Sequence, residues 1–210
     1  ARMAETENED LTRTDRWLDA GAYRKNWAAR SALMLELYDE VIPPLASDRP
    51  LRVAEFGCGA MAPVRALCAE RGNTIVDRYD LKAWDQDVRQ VDLNAPFQVP
   101  KEYDLITLSG VAEYLNDFKC VCATLLAASQ VLAVSYAFPP VEARASDQAY
   151  LKTLRRRIVR HGWRSHHFLD EVMAALSTLG VVANVGIWNG QALFILRRRA
   201  FVKFQQHIMH

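Results

Sequence analysis

Leu51-Arg52-Val53-Ala54-Glu55-Phe56-Gly57-Cys58-Gly59-Ala60 is the stretch on which the reading of this 210-residue chain turns. A short apolar run carries an acidic residue near its end and then two glycines one residue apart. A helical pattern from Met61 to Arg71 follows at once. That is a strand turning sharply into a helix. Such a turn leaves backbone N–H groups without partners inside the helix. Glycine lets a ligand come close to them, because no Cβ intervenes. The stretch reads as a cradle for a cofactor.

Two cofactors compete for it. Gly57, Gly59 and Ala62 fit the dinucleotide pattern G-x-G-x-x-G/A, with an acidic residue roughly 20 positions on. Against that stands Glu55, two residues before the first glycine. A carboxylate repels a diphosphate, whereas S-adenosylmethionine (SAM) brings an α-ammonium group that a carboxylate attracts.

Outward from the bend, the helix to Arg71 tolerates Pro63 in its first turn and ends at Gly72-Asn73. Thr74 to Tyr79 reads as the second strand, with Asp80 at its end and Asp77 as the competitor for that position. Asp85 and Asp87 read as solvated loop acids. Only Lys82 to Asp87 separate Asp80 from a third strand, Val88 to Val91, so there is little room for a crossover helix. Trp84 is placed either to stack on a flat ring or to cover that gap. Asp92-Leu93-Asn94 closes the third strand, and Pro96 and Pro100 bound a loop where a second helix is also reduced or absent.

Tyr103 to Ser109 is an apolar run typical of a buried parallel strand. Gly110-Val111-Ala112-Glu113-Tyr114-Leu115 follows, with Glu113 and Tyr114 opening a helix to about Ala128. Gln130 to Ala137 is a fifth strand, broken by Phe138-Pro139-Pro140. Residues 139–165 read as an insertion, a possible substrate lid, and its run Arg155-Arg156-Arg157 with Arg160 as a solvated face or a phosphate or carboxylate contact. His161, His166 and His167 cluster after it. Each is a candidate general base, because imidazole titrates near neutral pH, and Ser165 is a candidate N-cap for a helix from His166 to Leu179. Val181–Trp188 and Ala192–Arg199 flank Asn189-Gly190, a strong hairpin signal.

Upstream, residues 1–48 read as a helical cap. Leu11 to Val41 is a helix interrupted near Gly21 and stopped by Pro43-Pro44, with Tyr23, Trp27 and Arg30 on one face. Ala1 to Asp10 and residues 201–210 read as tails or linkers. Half the residues are hydrophobic, enough for one sizeable core, and the formal net charge of +1 provides no bulk attraction to nucleic acid. No run reaches the roughly 20 apolar residues of a membrane span, and the acidic start is unlike a secretory signal. Cys58, Cys68, Cys120 and Cys122 form no C-x-x-C pair, so neither a disulfide framework nor a metal set is expected, and a reducing cytoplasm is.

Glu55-Phe56-Gly57-Cys58-Gly59 resembles the first motif of class I SAM-dependent methyltransferases, (D/E)-x-G-x-G, and Gly110 to Leu115 resembles that family's fourth motif. The resemblance runs from about Leu51 to Arg199. It implies a Rossmann-like α/β fold, a mostly parallel twisted sheet closed by a C-terminal antiparallel hairpin that dinucleotide-binding domains usually lack. It implies SAM as cofactor, held by Glu55, Gly57 and Gly59 at the bend. Asp80 with Leu81 beside it would serve the ribose, Asp92 and Leu93 the adenine, and Ser109 and Gly110 the methionine end. The leading helix would lie over the pocket, with Tyr23, Trp27, Glu113 and Tyr114 lining the acceptor side. The activity implied is methyl transfer to an O or N nucleophile of a small-molecule, sugar or lipid-linked acceptor, with further domains or oligomerisation possible. An NAD(P)-dependent oxidoreductase and a non-catalytic module of the same fold are the alternatives.

Overall fold

The structure, a computed structural model, describes residues 26–42 and 49–199. One seven-stranded sheet organises them, in the order β3-β2-β1-β4-β5-β7-β6. The strands are β1 Leu51–Phe56, β2 Thr74–Asp80, β3 Val88–Gln90, β4 Tyr103–Leu108, β5 Ser129–Ala137, β6 Val181–Trp188 and β7 Gln191–Arg197. The first five run parallel, and β7 is antiparallel to both β5 and β6. Every residue of β4 is buried, as a central parallel strand covered on both faces requires. The closing hairpin turns at Asn189 and Gly190, with φ of 46° and 76°, the paired positive values of a type I′ turn.

Two layers of helix cover the sheet. On one face α1 (Asn26–Val41) and α2 (Pro63–Arg71) set Met34, Leu35, Tyr38, Val64 and Cys68 against Val53, Leu105, Ala133 and Ile195. On the other, α3 (Phe118–Ala127) and α5 (Leu169–Leu179) bring Leu125, Val172 and Leu176 onto Ile106, Leu132 and Phe194. Beyond β5 come a 3-10 turn, Val141–Arg144, then α4 (Asp147–Arg156) and a π-helical turn, Arg157–His161. Among the described residues, no helix is long and apolar enough to cross a membrane.

The structure differs from the sequence reading at several boundaries. Glu113 and Tyr114 do not open a long helix; Ala112–Tyr114 is a 3-10 turn, and α3 starts after Asp117, whose carboxylate accepts the Cys120 N–H at 2.9 Å. Ser165 caps nothing. It is buried, with its hydroxyl 2.7 Å from that of Tyr136, and α5 begins three residues later than expected. Asp77 lies within β2 and accepts the Tyr103 hydroxyl at 2.7 Å, so Asp80 is the strand-end acid. Asp85, half exposed, is no free loop acid, because it pairs through both oxygens with buried Arg78 at 2.8 Å. The expected shortfall of helix is real: residues 81–87 and 91–102 contain none. Trp84 packs there against Cys58, Ala62 and Val88, while Val91, Leu93, Phe97 and Val99 pack on the core in place of a second helix. Tyr23, the Gly21 break, the Pro43-Pro44 stop, most of the 1–48 segment and the 201–210 tail lie outside the described residues.

Candidate functional site

The carboxyl ends of β1 and β4 lie side by side where the strand order reverses, the place where open α/β sheets leave a crevice for ligands. The glycine bend sits on it. Gly57, Gly59 and Ala62 have φ of 71°, 59° and 40°, so the chain reverses through three left-handed residues. A Cβ on Gly57 would fall 2.2 Å from Val111 Cγ2, whereas one on Gly59 would meet nothing within 4 Å. Packing inside the protein therefore demands the first glycine. The second opens onto free space.

The bend's amides do not stand free, as the sequence suggested. Gly57 N–H donates to the Tyr79 carbonyl at 2.8 Å and Gly59 N–H to Asp80 Oδ2 at 2.7 Å. Glu55 is 3 % exposed, and its two oxygens accept the Val64 and Arg65 N–H groups of α2, each at 3.0 Å. The carboxylate expected to meet a cationic headgroup is thus spent on the first turn of α2. Burial pushes its pKa up to about 7, against the pull of those two donors and of Arg78. The same contact fills the helix N-terminus at which a diphosphate would sit.

Asp80 closes β2. One of its oxygens takes Gly59 and the other takes the Lys82 N–H at 3.2 Å; each keeps a lone pair for a further donor. Leu81 beside it is 38 % exposed. Asp92, exposed, follows β3 and accepts the Asn94 N–H at 2.8 Å, while Leu93 turns inward onto the core. Asn94 in turn donates to the Tyr114 carbonyl at 3.2 Å and accepts the Asn116 N–H at 2.8 Å. The loop after β3 is thereby stitched to the segment after β4, and Glu55, Gly57, Gly59, Asp80, Leu81, Asp92, Ser109 and Gly110 all lie along the same edge of the sheet.

At the end of β4 the structure adds residues the sequence reading undervalued. Arg30 of α1, 6 % exposed, donates from Nε to Ser109 Oγ at 2.9 Å and from Nη1 to Gln191 Oε1 at 3.1 Å. A Cβ on Gly110 would lie 2.3 Å from its Nη2, so that glycine admits the guanidinium. Glu113 is 1 % exposed; Oε1 accepts the Ala137 N–H at 2.5 Å and Oε2 has no hydrogen-bond partner among the described residues. Burial drives its pKa up, opposed by the charges of Arg30 and Arg157. Arg157 comes from the basic run read as a solvated face or an anion contact, yet it is 6 % exposed, donates to the Ala137 carbonyl at 2.6 Å and lies over the Trp163 ring at 4.5 Å. The signal was its spacing: Tyr150, Leu154 and Arg157 share one helical face.

The three histidines separate. His166 Nδ1 accepts from Arg157 Nε at 3.4 Å, which leaves Nε2 carrying the proton, as a donor. Burial, then the Arg157 charge, lower its pKa. In this arrangement Nδ1 is occupied by Arg157, and Nε2 is the nitrogen left to face a ligand. His161 stacks on Trp163 at 4.5 Å, and His167 is exposed beside Phe118 and Tyr136. Trp27 and Tyr114 are each half-buried.

No family model and no curated protein matches the sequence. Solved structures do. The chain is similar to the mitomycin 7-O-methyltransferase MmcR, at 11 % identity and a TM-score of 0.61, over 90 % of this chain and 61 % of that one. A SAM-dependent methyltransferase from Mesorhizobium loti matches at 17 % identity and a TM-score of 0.57, over 86 % and 98 %. The N-terminal domain of EvdMO1 with SAH bound matches at 13 % and 0.53, over 84 % and 82 %. The fold is that of the class I methyltransferases. Within that methyltransferase fold, this chain spans about three fifths of the length of MmcR.

Proposed function

We propose that the chain is a SAM-dependent methyltransferase acting on an O or N nucleophile of a small-molecule, sugar or lipid-linked acceptor in the cytoplasm. The observation that carries this is the bend. A glycine with open space above it stands at the switch point, hydrogen-bonded to a strand-end carboxylate, with an acidic residue closing the α2 N-terminus behind it. The last feature occupies the amides that a diphosphate would use and so weighs against the nicotinamide-dependent alternative. Titration calorimetry with SAM, SAH and NADH tests the reading: SAM and SAH bind and NADH does not. Binding of NADH alone refutes it.

The residues present fit the cofactor. Asp80 keeps acceptor capacity for ribose hydroxyls, Leu81 provides an exposed apolar face, and Asp92 and Leu93 stand on the adenine side. Ser109 and Gly110 would lie beside the amino-acid end, where Arg30 has N–H groups left for a carboxylate. Bound SAM would supply an electrophilic methyl group. The chain's own part is to hold an acceptor in line with it and to manage the acceptor's proton. His166 would hydrogen-bond the acceptor through Nε2–H; His161 and His167 remain the candidates to take a proton. Trp27, Glu113 and Tyr114 would shape the acceptor side, with residues 139–165 above it. Alanine at His161 or His167 should leave SAM affinity intact and lower turnover if either is the base.

A second reading, a non-catalytic module of this fold, is favoured by one specific contact, Val111 packed against Gly57. The same titration separates it, since it predicts no binding of either adenosyl ligand.

A further inference from the structure

The outer side of α4 and of the turn after it brings exposed aliphatic and basic side chains together. Leu151, Lys152, Arg155, Arg156, Val159 and Arg160 line one shallow hollow. Their spacing of three and four residues puts them on a single stripe. The opposite side of the same helix faces the protein: Tyr150 rests on Phe168 at 6.1 Å and Arg157 is buried. Leu151 and Val159 are 61 % and 56 % exposed, and Ile158 beside them 39 %. Lys152, Arg155 and Arg156 enter no ion pair among the described residues. The acids of this region, Glu142 and Asp147, precede the stripe at the amino-terminal end.

Cations in a last helical turn complement the helix dipole, which accounts for Arg155 and Arg156 but not for bare aliphatic side chains between them. A solvated charged face gains nothing from Leu151 and Val159. Single-stranded nucleic acid wants aromatic rings on which bases stack, and the stripe has none. Aliphatic side chains flanked by long basic ones suit a lipid headgroup boundary: the apolar groups enter the acyl edge while Lys and Arg reach back to phosphates. The chain as a whole carries only +1, so the attraction is confined to this face and acts within a Debye length, about 10 Å at 0.1 M salt.

We propose that this face of α4 docks the protein on the anionic surface of a phospholipid bilayer. The inference does not rest on the methyltransferase reading. Co-sedimentation with phosphatidylcholine vesicles, with and without phosphatidylglycerol, tests it. The protein should sediment with the anionic vesicles only, and less so as salt rises. Each cation near such a surface is worth about five-fold in partitioning, or about 1 kcal/mol. The triple variant Lys152→Gln, Arg155→Gln, Arg156→Gln should therefore lose roughly a hundred-fold. The pair Leu151→Ser, Val159→Ser should also bind more weakly with every charge in place. All these positions are exposed, and circular dichroism checks that each variant is folded. Failure to sediment with anionic vesicles at low salt overturns the proposal. So does undiminished binding by either variant. Displacement of the vesicles by polyuridylate, with the serine pair unaffected, would make the face a nucleic-acid site and refute the lipid one.

Discussion

Glu55→Gln separates a buried helix anchor from a free anion. In the folded chain the Glu55 pKa stands at about 7 against an ordinary 4.5. The folded state thus keeps a proton that the unfolded chain releases. Stability from this group is full below 4.5, falls as pH rises, and levels off above about 7. At about 1.4 kcal/mol for each pH unit, the loss is about 3 kcal/mol. The side chain is 3 % exposed, so solvent screening takes little from that figure. Glutamine cannot ionise: its oxygen accepts one of the Val64 and Arg65 N–H groups and its NH2 leaves the other unpaired, a cost of about 1–3 kcal/mol that is the same at every pH. Urea denaturation of both proteins at pH 5 and pH 8 gives a difference in which other titrating groups cancel. Whatever the offset at pH 5, the variant should gain about 2–3 kcal/mol on wild type between pH 5 and pH 8. A difference that does not move with pH, or one that moves in favour of wild type, refutes the reasoning. The latter would mean that the two N–H donors outweigh burial and hold the carboxylate ionised.

The two glycines should part company. Gly59→Ala pays only for a left-handed backbone, about 1–2 kcal/mol, and should lower adenosyl-ligand affinity in calorimetry; Gly57→Ala adds a collision with Val111 and should cost more in thermal denaturation. Arg157→Gln should raise the His166 pKa toward its ordinary value, since a positive charge is withdrawn, and nitrogen chemical shifts should show a mixture of tautomers in place of Nε2–H alone. An unchanged His166 titration would discount the Arg157 contact. Tyr136→Phe strands the buried Ser165 hydroxyl and the His167 N–H that share its oxygen, at about 1–3 kcal/mol, which urea denaturation measures.

What could be read in the sequence was whatever local chemistry alone decides. β4 is mostly apolar because it is covered on both faces, its one acid, Asp104, being paired with Arg49, and Asn189-Gly190 makes a hairpin wherever it stands between strands. The glycine bend was legible as a bend. The destinations of its polar groups were not, because they depend on what lies opposite. Glu55 looked like a free acid until α2 was seen to present two amides to it. Ser165 has the composition of a cap, but Tyr136, 29 residues away, takes its hydroxyl. Arg157 sits in a run of like charges, and only the helical period distinguishes it from Arg155 and Arg156. Arg30 was placed on the right helical face, but its target at Ser109 is 79 residues distant.

The two missing crossover helices explain why the crevice beyond β1 is bordered by loops. A crossover helix would cover the sheet beyond β1 with its own apolar face. Here Trp84 and the Val91–Val99 side chains do so, and their backbones need tethers that a helix would have supplied internally. Arg78 ties down the first loop through Asp85. Asn94 ties the second, and it does so to the residues that follow β4 rather than to the sheet. The loop carrying Asp92 and the turn carrying Glu113 are therefore one connected body on the crevice rim. A displacement of one is carried to the other through the two hydrogen bonds of Asn94.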